Sequence, residues 1–155
     1  MAFSTTLFLS LAIVSALPRS QARRQRCFAQ ASMDGNLRRM QVLYFAGAKI
    51  NSRGSCCLPL FLAVGSGKAE AVRYLLDQGA DVNAREQFGQ TPLTEAAFHG
   101  NIAVIKELLL RGADVNAIAD EGTALDVAIK TNNAAVTDLL KHQGGKRACE
   151  IRASC

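Results

Sequence analysis

A chain of 155 residues supplies material for one domain with a single modest core. Its hydrophobic fraction of 49% and charged fraction of 20% are typical of a globular chain and exclude a wholly disordered one. The formal net charge is +5, but four arginines lie in the first 26 residues and the last ten residues carry a net +2, which leaves about −1 for residues 27–145. Because this central part has no net basic field, we do not expect nucleic acid as a partner.

The N-terminal segment predicts a targeting peptide over residues 1–22. Residues 7–17 form an uncharged apolar run that is too short to cross a bilayer comfortably and has the length of a signal-peptide core. Ala16 and Ala22 are the two candidate cleavage positions, and we expect a secreted or periplasmic protein. Because no Lys or Arg precedes the run and an acid-free stretch follows it, targeting to an organelle is the alternative. A retained segment would instead attach the chain to a membrane.

An internal repeat with a period near 33 residues follows. The sequence GADVN occurs at residues 79–83 and again at residues 112–116, and GAKIN at residues 47–51 is a weaker copy. Apolar residues at i, i+3 and i+4 precede each of the two full copies, as in Ile105, Leu108 and Leu109. This spacing places each trio on one face of a helix. Repeated landmarks of this kind predict stacked, similar units.

Residues between these landmarks predict where the helices begin and end. The Thr91 hydroxyl is suited to cap a helix whose first turn contains Pro92. Gly100 is suited to end that helix at positive φ, and Asn101 is a candidate cap for the next helix. Gly112 ends the second helix of the unit. Each unit is therefore predicted to contain two short helices.

The repeated unit resembles the ankyrin repeat over about residues 26–145. This resemblance implies an all-α solenoid of stacked helix-turn-helix units joined by β-turn or hairpin loops. The predicted repeat domain spans residues 23–145, and residues 146–155 form a tail. The four units are predicted at residues 27–51, 53–83, 86–116 and 120–145.

The first and last units have the polar residues of caps. Thr137 and Lys141 replace apolar residues of the preceding unit, and Arg38 and Arg39 lie in the first unit. We expect Leu75, Leu108 and Leu140 to line one continuous interior.

The resemblance implies partner binding through the turn tips and the first-helix face. We therefore expect a monomeric protein-binding module without a cofactor. The aromatic residues Phe88 and Phe98 are the candidate hot spots, unless they pack against the next repeat. The predicted partner-binding residues are Arg53, Ser55, Arg85, Gln87, Phe88, Gln90, Phe98, His99, Ile118, Asp120 and Lys130.

Catalysis is not expected, because the reactive side chains do not converge in the sequence. The two histidines, His99 and His142, belong to different units, and His99 is expected at the surface. Glu95 occupies a position that is usually apolar in ankyrin repeats. We expect its carboxylate to be hydrogen-bonded or exposed at an edge.

Five cysteines provide the second chemical signal: Cys27, Cys56, Cys57, Cys149 and Cys155. In an exported protein they are expected to form disulfides, such as Cys149 with Cys155 and Cys27 with the turn at residues 56–57. A thiol- or redox-active protein that uses the Cys56–Cys57 pair is the alternative function. Inert thiols also remain open. A metal site is not expected, since there is no CxxC motif.

Overall fold

The computed structural model describes residues 20–53 and 57–153. The predicted targeting segment up to residue 19, Ser55, Cys56 and Cys155 lie outside the described residues. Within these ranges the secondary structure is helical, with one isolated antiparallel bridge between Ala119 and Gly122 and a 3-10 turn at Gln87–Gly89. The predicted all-α class is confirmed. The α-helices are α1 (Gln21–Asp34), α2 (Leu37–Phe45), α3 (Pro59–Gly65), α4 (Ala69–Asp77), α5 (Pro92–His99), α6 (Ile102–Leu110), α7 (Ala124–Lys130), α8 (Ala134–His142) and α9 (Ala148–Ile151).

The helices form two layers, and each unit contributes one helix to each layer. Helices α1, α3, α5 and α7 pack side by side in the first layer. Helices α2, α4 and α6 follow one another in the second layer, and α8 packs against α7. The predicted row of Leu75, Leu108 and Leu140 is fully buried in one shared core. The repeat architecture predicted from the period is therefore confirmed. None of the described helices has the length and apolarity needed to cross a membrane.

The helix boundaries follow from the predicted capping residues, with one exception. Thr91 caps α5 in a reciprocal arrangement with Thr94, and Pro92 occupies the first turn. Gly100 ends α5 at φ 70°. The prediction that Asn101 caps the following helix is wrong, because its side chain makes no cap bond to α6. Its amide instead donates to the carbonyl of Val64 at 3.1 Å, and so ties unit 3 to unit 2.

A repeated asparagine bridge links the turns of successive units. Asn83 donates to the carbonyl of Gly112 at 3.3 Å and accepts from the backbone N–H of Asp114 at 2.8 Å. Asn51 and Asn116 make the equivalent pairs of bonds to the next unit. Each side-chain amide therefore satisfies one backbone donor and one backbone acceptor across a unit boundary. These bonds hold the turn tips in register along the stack.

Both ends of the stack extend beyond the predicted repeat boundaries. Helix α1 begins at Gln21, and the side chains of Gln21 and Arg24 donate to the carbonyls of Gly47 and Ala46. At the other end the predicted tail contains α9, and the N–H of Ala148 donates to Asp126 at 2.7 Å. The tail therefore packs against the last unit.

Candidate partner-binding groove

The first-helix layer has an irregular surface because one position differs in size from unit to unit. Met33, Gly65, Phe98 and Lys130 each lie two residues before the residue at positive φ that follows their helix. They therefore occupy equivalent positions in the four units. Met33, Phe98 and Lys130 are exposed, whereas Gly65 has no side chain. A depression results between the first and third units.

A groove of about 460 Å³ occupies this depression. Its walls come from α1, α3 and α5 and from the turn that precedes α5. On one side Glu95 Oε1 lies 3.1 Å from Nε2 of His99, one helical turn away. The prediction of a hydrogen-bonded or edge-exposed Glu95 is confirmed. The lining residues are Met33, Cys57, Phe61, Leu62, Gly65, Ser66, Glu86, Gln87, Gln90, Glu95 and His99.

A second, smaller groove continues along the same layer. It has a volume of about 160 Å³ between α5 and α7 and is lined in part by Gln90, Glu95 and Phe98. Gln90 and Glu95 line both grooves, so the two form one surface. A third depression of about 300 Å³ contains Asp120 and Lys130 and lies where α9 packs against the last unit.

The turn tips are held together by bonds to backbone atoms. Arg85 Nη1 donates to the carbonyls of Gly89 at 3.2 Å and Ile118 at 2.9 Å. The N–H of Asp120 donates to the carbonyl of Phe88 at 3.0 Å. Phe88 adopts φ 60°, a left-handed conformation that is unfavourable for a bulky residue. The tip therefore presents the Phe88 side chain at the cost of local strain.

The tip of the second unit is fixed by a carboxylate. Glu86 accepts from the N–H of Leu58 at 2.8 Å and pairs with Arg53 at 2.7 Å. The Glu86 side chain is almost completely buried, whereas Arg53 is about half exposed. Arg53 therefore contributes to the surface and neutralises Glu86 at the same time.

Most of the predicted partner-binding residues lie in the grooves or at the turn tips. Some line a groove, and others connect neighbouring turns. Gln87, Gln90 and His99 line the first groove, whereas Arg85 and Ile118 connect neighbouring turns. Gln90 and Ile118 are only partly exposed. Phe88 and Phe98 are 68% and 57% exposed, so the alternative that they pack against the next repeat is wrong. Whether these residues bind a partner stays a prediction.

Several groove residues were missed by the sequence reasoning. Met33, Leu62 and Gly65 line the groove but were not among the predicted residues. The signal was present in the repeat register, since Gly65 stands where the next unit has Phe98. Comparing side-chain sizes at equivalent positions would have indicated the depression.

The cysteines are in different states within the described part of the chain. Cys149 is disulfide-bonded. Cys27 carries a free thiol, so the structure differs from the disulfide predicted between it and the turn at residues 56–57. The Cys27 side chain is partly buried and packs against the hydrophobic core. Cys57 is partly buried at the edge of the groove.

Comparisons with known proteins agree with the repeat architecture. Residues 28–119 match a family model described as ankyrin repeats in three copies. An ankyrin repeat and KH domain-containing protein of Caenorhabditis briggsae is 39% identical over 70 residues, which cover 42% of this chain and 3% of that protein. The E3 ubiquitin-protein ligase XBAT33 of Arabidopsis thaliana and the probable E3 ubiquitin-protein ligase XBOS33 of Oryza sativa subsp. japonica are 43% and 41% identical over 54 residues. Both alignments cover 35% of this chain and 10% of the relative, so the chain spans a tenth or less of these proteins.

Proposed function

The chain belongs to the ankyrin repeat family, and from that premise we propose that it is a monomeric, non-catalytic adaptor that holds a protein partner between its turn tips and its first-helix layer. Ankyrin repeats form a protein–protein interaction module, and the family is generally non-catalytic. The partner therefore defines the function of the chain. The turn tips and the two joined grooves are the surface that we assign to it.

The exposure of two large aromatic residues carries this proposal. Phe88 at the turn tip and Phe98 on α5 leave 68% and 57% of their surface in contact with water. Aromatic anchors at the centre of an interface supply much of its binding energy because they bury large areas with little loss of conformational entropy. A partner that covers both rings would recover this area. The polar residues Gln87, Gln90 and Asp120 would then form its rim.

The strain at Phe88 supports the same assignment. A bulky residue at positive φ costs about 1–2 kcal/mol relative to an ordinary backbone conformation. Glycine avoids this cost, and the next residue of the turn, Gly89, also has positive φ. An aromatic side chain at a strained and exposed position contributes little to folding. Its retention is explained if the ring contacts a partner.

The experiment compares two double variants in affinity capture from an extract of the native source. The variant Phe88→Ala/Phe98→Ala removes the proposed anchors, whereas Phe45→Ala/Leu110→Ala removes residues that are 87% and 78% exposed on the second layer. We expect the first variant to lose the captured protein and the second to retain it. Thermal melting is expected to be nearly unchanged in both. Equal capture of the partner by the original chain and by both double variants would refute the proposed surface.

We also propose that the chain is exported, with cleavage after Ala16 rather than after Ala22. Two contacts support the earlier position. The Ser20 hydroxyl caps α1 by accepting from the N–H of Arg23 at 3.2 Å, and Gln21 donates to the carbonyl of Gly47 at 3.0 Å. Cleavage after Ala22 would remove both.

N-terminal sequencing of the protein purified from its native source tests the export proposal. We expect a first residue of Leu17. A protein that begins at Met1 would contradict export by cleavage, and one that begins at Arg23 would contradict the assigned cleavage position.

A further inference from the structure

We propose that the groove at Gly65 is a specificity pocket for a basic side chain, arginine or lysine, of the bound partner. This inference deepens the proposed function and rests on it. It adds the chemical class of the residue that the partner inserts. Three features of the groove support it: an open position, apolar walls and a carboxylate that no Lys or Arg of the described residues neutralises.

The open position depends on a single glycine. A Cβ atom at Gly65 would lie 3.2 Å from Glu95 Oε1 and 3.7 Å from Nε2 of His99. Met33 and Phe98 occupy the equivalent positions in the units on either side. Any larger residue at position 65 would therefore fill the space in front of the Glu95 carboxylate. Gly65 leaves that space accessible to a side chain from outside.

The walls fit the stem of a long side chain. Met33, Phe61 and Leu62 line the groove together with the Glu95 carboxylate. Its volume of about 460 Å³ lies in the range of pockets that enclose a ligand group. Lysine and arginine place an aliphatic stem along apolar surface while their charged end reaches a polar group. An entering basic side chain would thus contact both parts of the groove.

The carboxylates of the groove favour a positively charged occupant. Glu86 and Glu95 are the charged carboxylates among the described lining residues, and none of these residues is Lys or Arg. Glu86 is already paired with Arg53 and with the N–H of Leu58. Glu95 contacts His99, and its side chain is 24% exposed. Among the described residues no Lys or Arg pairs with Glu95, so its carboxylate is the one left to accept a guanidinium or ammonium group from a ligand.

Other kinds of occupant are disfavoured by the same carboxylate. An apolar side chain would remove water from Glu95 without replacing its hydrogen bonds, which is costly. An acidic side chain would be repelled. A guanidinium or ammonium group restores the lost hydrogen bonds and forms a charge-assisted contact. Arginine can do so with two parallel N–H donors.

A random heptapeptide library displayed on phage provides the probe. The full chain is used to select peptides, and the selected peptides are synthesised and titrated against variants by fluorescence anisotropy. Glu95→Gln keeps the shape of the side chain but removes its charge, and Gly65→Phe introduces into the groove the residue that stands at the equivalent position of the next unit. Glu70→Gln on the second layer is the matched control, since Glu70 is exposed outside the groove. Circular dichroism checks that each variant is folded.

We expect the selected peptides to share an Arg or Lys at one position. Glu95→Gln and Gly65→Phe should weaken their binding about tenfold or more, and Glu70→Gln should not change it. Replacing the shared basic residue of the peptide by Leu should cause a loss that does not add to that of Glu95→Gln.

The outcomes separate the specificity pocket from the proposed function. The Phe88→Ala/Phe98→Ala variant is titrated beside the groove variants. Peptides that lose affinity for this variant but tolerate both groove variants, or that share no basic residue, would overturn the pocket and leave the adaptor function standing. A library from which the chain selects no peptide would contradict both. If Gly65→Phe fails to fold, the comparison of Glu95→Gln with Glu70→Gln decides alone.

Discussion

In each helix layer, the first and third units place a large apolar side chain at one exposed position. The second unit has a different residue there, and this residue differs between the two layers. In the second layer Phe45, Asp77 and Leu110 are equivalent, and the two apolar residues are 87% and 78% exposed. Between them Asp77 pairs with Arg111 at 2.7 Å, so the middle position is occupied by an ion pair.

In the first layer the middle position is empty. Gly65 lies between Met33 and Phe98, and the space left by its missing side chain is continuous with the groove beside Glu95. The comparison indicates that the missing side chain at position 65 is what leaves this part of the first layer open. Substitutions in the core, in each layer and at the turn tip test this difference between the layers.

A substitution in the core shared by both layers should cause the largest loss of stability. Leu108 is fully buried, and Leu108→Ala should lower the free energy of unfolding by about 2–5 kcal/mol, because it removes apolar contacts and leaves a cavity. Urea denaturation followed by circular dichroism measures the loss. The exposed Leu110→Ala is the control and should change stability by less than about 0.5 kcal/mol. A similar loss in both variants would contradict the shared core.

A smaller effect should distinguish the charged groups of the two layers. The buried Glu107 of the second layer lies 3.1 Å from Arg111 and 3.4 Å from Arg73. Because both arginines are partly exposed, Glu107→Gln should lower the free energy of unfolding by only about 1 kcal/mol. It should leave the binding of a selected peptide unchanged. Glu95→Gln should instead weaken peptide binding and leave the free energy of unfolding nearly unchanged. The same response in both assays would remove the distinction between the layers.

At the C-terminal end of the first layer, stability should depend on pH through Asp126. Burial raises the pKa of Asp126, but hydrogen bonds from the backbone of Ala148 and Thr123 and from the Arg147 side chain outweigh it, and the pKa lies below its usual value. The stabilisation is therefore fully present above the unfolded pKa of about 3.9 and is lost as the pH falls through the lower folded pKa.

Denaturation of the chain and of Asp126→Asn between pH 7 and pH 2 measures this effect. We expect the original chain to be more stable near neutral pH and the difference to disappear in acid. A constant difference over the whole range would exclude the ionised Asp126 as its source.

A substitution at the turn tip should change stability least, and in the stabilising direction. Phe88→Gly removes the unfavourable left-handed conformation, although glycine also gains entropy in the unfolded chain. We expect the free energy of unfolding to rise by about 0.5 kcal/mol or to stay unchanged, while partner capture weakens. Thermal melting and capture assays measure the two quantities. A destabilised variant would show that the ring contributes to the fold.

Local and repeated features of the molecule could be predicted from its sequence. The cap at Thr91, the helix end at Gly100 and the aligned leucines of the core depend on residues close in sequence or one period apart. Because residues one period apart occupy equivalent positions, the repeat itself indicates which of them align. The exposure of Phe88 and Phe98 also agrees with the positions that the resemblance gave to them.

Features that depend on contacts between distant residues could not be predicted in this way. Asn101 bonds to Val64 instead of capping its own helix, and Ala148 bonds to Asp126 although the tail lies outside the repeat. The packing of the Cys27 side chain against the core also depends on residues distant in sequence. The groove also needs side chains from three helices, although the missing side chain at Gly65 is visible in the repeat register.

Chemical-shift mapping of a selected heptapeptide on the 15N-labelled chain shows directly which helix layer contacts the peptide. We predict that the amide signals of Gly65, Gln90 and His99 shift on titration, whereas those of Phe45 and Leu110 stay in place. Shifts confined to the second layer, or spread equally over both layers, would contradict the assignment of partner binding to the first-helix groove.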